Sequence, residues 1–231
     1  MPFTPDAAKF LFENYLRNDK EWFKANKEIY DKEIITPMSE LIVYLTPLMK
    51  QIDSRIECSP RCITRIYRDA RLIRDGMFFK RDIWFSLRRP KDQLPNKAEF
   101  FFWISGEDFG WGLGYYNIPS QILDNVRALI LNRDKTALEA IECYEAQDRF
   151  VLDGQQYKRD RYPNEPPQFK NWLNRRNLAV LYRSDDPAVL CAEDLYSRVY
   201  KDFESIAPIY PLFIRAEELG TADGSGNEVR K

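Results

Sequence analysis

Apolar residues recur at helical spacing through the first fifty positions. Thr4, Pro5 and Asp6 form a helix start signal: a cap residue, a proline at the first helical position and an acid in the first turn. Phe10, Leu11, Tyr15 and Leu16 then predict a buried stripe. Asn18-Asp19 ends that helix and caps a second over Lys20–Lys32, whose apolar positions are Trp22, Phe23 and Tyr30. A third, Ile35–Ile52, carries Ile35, Met38, Leu41, Ile42, Leu45 and Met49 at steps of three and four, with Pro37 tolerated near its start.

The period then changes. Ile63–Arg68, Ile83–Arg88, Ala98–Ser105 and Phe109–Tyr116 alternate or are rich in β-branched and aromatic residues, which predicts strands, the last two forming a hairpin around Ser105-Gly106-Glu107-Asp108. Gly110, Gly112 and Gly114 strip one face of the second hairpin strand, so a ring, a backbone or a ligand can approach it closely. Helical spacing returns over Pro119–Asn132 and Asp134–Ala146. Phe150–Lys158 reads as two short strands turning at Asp153-Gly154. Arg161–Pro167 reads as loop, Gln168–Arg175 as a short helix and Leu178–Tyr182 as a strand. A long amphipathic helix from Asp186-Pro187 to Ile206 and a last turn over Leu212–Leu219 complete the pattern. Helical and strand blocks are segregated, so the expected fold is one α+β domain over residues 1–219, a small, mainly antiparallel sheet flanked by helices, with residues 220–231 as a flexible tail.

Composition narrows the class. Hydrophobic residues make up 44% of the 231, with 14% aromatic, which supports a real core without disulfides or metal. No apolar run reaches the roughly 20 residues a membrane helix requires, and the start has no signal-peptide pattern, so a cytoplasmic protein without a membrane partner is expected. Cys58, Cys62, Cys143 and Cys191 form no disulfide-type framework and read as reduced core thiols. There is no histidine, which excludes Cys-His and Ser-His nucleophiles and leaves Cys58-x3-Cys62 without the partners of a zinc site. No phosphate-loop or dinucleotide glycine pattern is present, so neither a metal nor a cofactor is expected.

Charge singles out one segment. Arg61–Arg89 holds nine basic residues (Arg61, Arg65, Arg68, Arg71, Arg74, Lys80, Arg81, Arg88 and Arg89) against Asp69, Asp75 and Asp82; the rest of the chain holds 26 basic residues against 33 acidic. Such asymmetry attracts anions. The basic run is short and the whole chain has a pI near 5.8, which argues against nucleic acid.

Several motifs carry a resemblance. The FTPDAAKFL start, NDKEWFKANKEIYDKEI (Asn18–Ile34), RIYRDARLIRDGMFFK (Arg65–Lys80) and the late IAPIYPLF resemble the domain-of-unknown-function family 2461, over roughly residues 3–219. The resemblance implies a compact single-domain α+β protein without a settled activity. Trp22, Phe23, Asn26, Lys27, Tyr30, Arg65, Tyr67, Arg68, Asp69, Arg71, Asp75 and Lys80 stand at its motif positions. Many members have Tyr-Lys-Thr-His or Tyr-Lys-Thr-Asn where this chain reads Phe79-Lys80-Arg81-Asp82, so a histidine base would have to be replaced here by Asp82 or a tyrosine.

The residues expected to bind ligand are Arg65, Tyr67, Arg68, Arg71 and Lys80, with Asn26 and Lys27 facing the same pocket and Lys27 adding to its positive field. Against this stands a structural reading in which Arg68 pairs with Asp69, Arg71 with Asp75, and Arg81 with Asp82. Three functions remain open: a binder of a small phosphate- or carboxylate-bearing ligand, an enzyme using Asp69 or Asp75 as acid or base, and an interaction module exposing Trp84, Trp103 and Trp111.

Overall fold

The computed structural model describes residues 3–69, 71, 73–90 and 96–224. Helix α1 (Pro5–Arg17) begins at Pro5 as the start signal predicts and ends at Asn18 in the left-handed region, φ 48°. Its buried stripe is Ala7, Phe10, Leu11 and Asn14. That is the seven-residue repeat i, i+3, i+4, i+7; it shares Phe10 and Leu11 with the expected stripe and departs from it in the next turn, so Leu16 is 65% exposed and Asn14 lies inside. Thr4 occupies the cap position, but its hydroxyl donates to Glu33 Oε2 at 2.6 Å instead of capping the helix.

The expected helix Lys20–Lys32 is broken. Asp19 caps α2 (Lys20–Ala25) by accepting from the Glu21 and Trp22 amides, and the backbone then steps at Asn26 before α3 (Lys27–Tyr30). A widened π turn over Asp31–Ile35 leads into α4 (Thr36–Ile52), which buries Met38, Leu41, Ile42, Leu45, Leu48 and Met49.

The five strands β1 (Asp82–Leu87), β2 (Glu99–Ser105), β3 (Phe109–Gly114), β4 (Val151–Asp153) and β5 (Ala179–Ser184) make one antiparallel sheet of order β1-β2-β3-β5-β4. The Ser105 amide donates to the Asp108 carbonyl at 2.8 Å and closes the β2–β3 hairpin. Two predicted strands are corrected. Ile63–Arg68 forms only isolated bridges, Ile63 with Phe85 and Tyr67 with Phe79. The expected hairpin at Asp153-Gly154 does not form either, because Val151, Leu152 and Asp153 pair with Leu181, Val180 and Ala179 of β5. The remaining helices are α5 (Ser120–Leu131), α6 (Lys135–Glu145), α7 (Pro167–Leu173), α8 (Pro187–Leu190), α9 (Leu195–Ile206) and α10 (Tyr210–Gly224). The expected helix from Pro187 to Ile206 is thus two helices, and the last one runs five residues past Leu219. The rest of the expected tail, 225–231, lies outside the described residues.

The architecture is α+β, and its contacts fall into two compact units interleaved along the chain. The first comprises Met1–Leu87, Phe101–Trp111 and Arg183–Lys201. Its core is aromatic: Phe10, Trp22, Phe23 and Tyr30 meet at centroid distances of 5.3 to 6.2 Å, and Phe3, Phe85 and Trp111 stack around Phe102. The second comprises Arg88–Phe100, Gly112–Tyr182 and Asp202–Lys231. There α10 packs on α5 and α6, and Phe100 lies against Phe203 and Tyr210. No helix among the described residues is long and apolar enough to cross a membrane.

Candidate functional site

Strand alternation divides the arginine segment. The bridge from Tyr67 to Phe79 puts those residues on one side, with ring centroids 4.9 Å apart and both rings against Phe23. Lys80 therefore turns to the other side, where its ammonium lies 4.5 Å from the Trp84 ring centroid. The expected grouping of Tyr67 with Lys80 does not occur. Of the other candidates, Arg68 places Nη1 at 2.7 and 2.9 Å from the two Asp75 oxygens. Arg71 grips Asp69 through Nε at 3.0 Å and Nη2 at 2.7 Å. Asn26 donates to the Trp22 carbonyl and Lys27 pairs with Asp31, so both partners lie within their own helical stretch. Arg65 is exposed and makes no ion pair among the described residues.

The ion pairs are thus Arg68–Asp75, Arg71–Asp69 and Arg81–Glu107, a different set from the sequence pairing. Neighbours in an extended segment point to opposite sides, so Arg68 cannot turn back to Asp69; the loop returns Asp75 to it instead. Hydrogen bonds from Arg71 hold Asp69 below the usual carboxylate range, and those from Arg68 do the same for Asp75. Both weak catalytic candidates are ion-paired.

On the sheet, Ile83, Phe85 and Leu87 of β1 and Phe100, Phe102 and Ile104 of β2 are wholly buried. Phe85 stacks on Phe102, and Phe102 on Trp111, which fixes that face as core. Asp82 and Trp84 of β1 and Phe101 and Trp103 of β2 consequently share the other face, all half-buried. The three tryptophans expected on one exposed surface do not share it, because Trp111 belongs to the core.

The charges on this face are unevenly compensated. Asp108 accepts from Ser105 Oγ at 2.8 Å, from Trp103 Nε1 at 3.3 Å and from Arg183. Burial pushes its carboxyl up, but these hydrogen bonds outweigh burial and hold it below the usual range. Asp82 makes no salt bridge among the described residues; burial pushes its carboxyl up and the nearby Asp108 charge adds to this. Burial pulls the Lys80 ammonium down, against the opposing pull of Asp82. Lys80 also makes no salt bridge among the described residues. The face therefore holds one carboxyl held below the usual range, one pushed above it, and one partly desolvated amine over the Trp84 ring.

Sequence reasoning missed Asp108 and Arg183. The acid reads as a solvated turn residue, and nothing in the sequence connects it to an arginine 75 positions away. Asp82 carried a signal, standing where the resemblance has histidine or asparagine.

With the geometry in place, the family model for DUF2461, described as a conserved hypothetical protein, matches residues 6–211. The chain belongs to the DUF2461 family. Arg65–Lys80 and the Lys80–Asp82 face lie within the matched span of this DUF2461 protein. No curated protein matches it. Among the described residues no group of three His, Cys, Asp or Glu is placed to hold a metal ion, and all four cysteines are free thiols.

Proposed function

We propose that this DUF2461 protein binds a small phosphate- or carboxylate-bearing ligand on the β1–β2 face, with Lys80 as the charge partner and Trp84 and Trp103 as walls. The observation that carries the reading is Lys80 itself, a desolvated amine over a tryptophan ring with no salt bridge among the described residues. An anion would restore the charge compensation that burial removes. Asp82, half-buried on the same face, stands beside that position. The site thus moves from the arginine loop to its far end, since Arg68 and Arg71 are already neutralised by carboxylates. The four free thiols support a cytoplasmic setting.

The test is a thermal-shift screen against phosphate, sugar phosphates and polycarboxylates. A ligand at 100 times its Kd stabilises by about 2.7 kcal/mol, a rise of roughly 5 to 10 °C for a chain of this size. The rise should shrink in Lys80→Met, which keeps the aliphatic stem over Trp84, and persist in full in Arg71→Ala. A rise unaffected by Lys80→Met would remove the site from this face.

A second reading has specific support. Asp82 and Asp108 are pushed in opposite directions, the arrangement by which enzymes keep one carboxyl as acid and one as base. In that reading the protein is an enzyme acting on the anionic ligand, and Asp82→Asn should keep the ligand-induced rise while abolishing turnover of a ligand found by the screen.

A further inference from the structure

The second unit holds a convergence of arginines that lies outside the predicted site. Segment 154–176 carries Lys158, Arg159, Arg161, Lys170, Arg175 and Arg176 against only Asp160 and Glu165. Both acids are engaged, Asp160 by Lys170 at 3.1 Å and Glu165 by Arg133 at 2.6 Å. What remains converges on one ring. The guanidinium carbons of Arg161, Arg127 and Arg176 lie 3.6, 5.3 and 5.9 Å from the Tyr157 ring centroid.

The three have different tasks. Arg127 is the scaffold: its side chain is 11% exposed, pairs with Asp124 and donates to the Tyr157 hydroxyl at 3.0 Å and to the Leu173 and Arg175 carbonyls. Arg175, half-buried beside it, spends its donors on Gly154 and Asn171, and burial pulls its guanidinium down. Tyr144 and then Asp153 pull the other way, and Arg175 makes no salt bridge among the described residues. Arg161 and Arg176 are exposed; Arg176 makes one long hydrogen bond to Gln155 at 3.3 Å, and neither is ion-paired among the described residues. Backbone anchors set the geometry, with the Tyr157 amide on the Asn174 carbonyl at 2.8 Å and the Arg161 amide on Asn174 Oδ1 at 2.9 Å.

Like charges gathered on one ring repel each other, and the only carboxylate paired within the trio, Asp124, neutralises Arg127 alone. We infer that Arg161 and Arg176, gathered on the Tyr157 ring that Arg127 fixes, form a binding site for a small soluble ligand carrying a phosphate or pyrophosphate group. Guanidinium forks match such oxygens in pairs, which a single ammonium does not. The patch is confined to one turn and its flanks on a chain of net charge −1, too small a footprint for a nucleic-acid surface.

Calorimetric titration of the full chain with inorganic pyrophosphate and with orthophosphate, at fixed ionic strength, tests this. Pyrophosphate should bind, and Arg161→Gln and Arg176→Gln should each weaken it about tenfold, as loss of one charge-assisted contact implies. Arg198→Gln on α9 should leave it unchanged. The Arg161 side chain makes no hydrogen bond among the described residues, so Arg161→Gln should melt with the parent, which separates lost binding from lost folding. The inference is overturned if pyrophosphate does not bind, if both variants bind it as tightly as the parent, or if a short oligonucleotide or an anionic vesicle binds where pyrophosphate does not. Lys80→Met separates the two sites: it should remove any binding on the β1–β2 face and leave the component that Arg161→Gln and Arg176→Gln weaken.

Discussion

Arg68 and Asp75 close the arginine loop at its neck, with one guanidinium nitrogen 2.7 and 2.9 Å from the two carboxylate oxygens. Asp75 also accepts from the Met77 amide at 3.1 Å, and Asn18 clasps the same stretch through the Gly76 carbonyl and the Phe78 amide. Asp75→Asn should speed amide exchange at Met77 and Phe78 near neutral pH while moving the melting temperature little, because the pair is exposed. The folded carboxyl lies below its unfolded value of 3.8, so its contribution is present above that value and fades as pH falls through the folded one. The melting temperatures of parent and variant should therefore converge in acid. A difference that persists there would show that Asp75 orders the loop by something other than its charge.

Asn14 is wholly buried on α1, and neither polar atom of its side chain has a hydrogen-bond partner among the described residues. Leaving buried polar groups unmade costs about 1 to 3 kcal/mol. Asn14→Leu, with the same branched skeleton and matching the apolar stripe of Ala7, Phe10 and Leu11, should raise the melting temperature by several degrees where the site takes the extra methyl volume. A lower melting temperature would show that the amide is satisfied in solution and that its polarity is used.

The glycines of β3 carry a different constraint. A Cβ at Gly112 would sit 2.3 Å from the Val180 carbonyl oxygen and 2.9 Å from Leu181 Cα, backbone atoms that cannot swing aside. Gly114 repeats the close approach against Ala179 at φ 155°. The stripped face at these two positions is thus filled by a neighbouring backbone and not by a ligand. Gly112→Ala should destabilise by about 1 to 3 kcal/mol. An unchanged melting temperature would mean that β5 can shift sideways without loss.

These cases explain what could be read in advance. Helix existence followed from apolar spacing, but the phase of α1 was set by which face met Phe23 and Tyr30, a tertiary fact that moved Leu16 out and Asn14 in. The alternation of β1 and β2 was legible because one face is continuous aromatic core. Segment 150–158 misled, since a favoured local turn at Asp153-Gly154 lost to pairing with β5. The arginines announced themselves by charge, yet charge alone does not say which carboxylate takes which guanidinium. Asp108 and Arg183, and the trio around Tyr157, meet only once distant segments fold together.

The buried pair Glu217 and Tyr115 gives the sharpest pH prediction. Glu217 Oε1 accepts from the Tyr115 hydroxyl at 2.9 Å and from the Ala98 amide at 2.7 Å, and the side chain is among the least exposed charged groups in the second unit. Burial pushes its carboxyl above the ordinary 4.5, even though both hydrogen bonds and the charges of Lys97 and Arg89 pull it down. The same burial and the Glu217 charge push the Tyr115 hydroxyl well up, so it stays a donor. In this case the folded state holds the proton more tightly than the unfolded chain. Stability is then greatest below 4.5, falls as pH rises toward the folded value, and levels beyond it. Glu217→Gln keeps an oxygen for both donors and removes the titration, so its melting temperature should lack that fall and match or exceed the parent's at neutral pH. Tyr115→Phe should cost about 1 to 3 kcal/mol by deleting one of the two donors. If Glu217→Gln instead melts lower at neutral pH and the fall remains, the carboxylate is ionised in the fold and Lys97 and Arg89 are its stabilising partners.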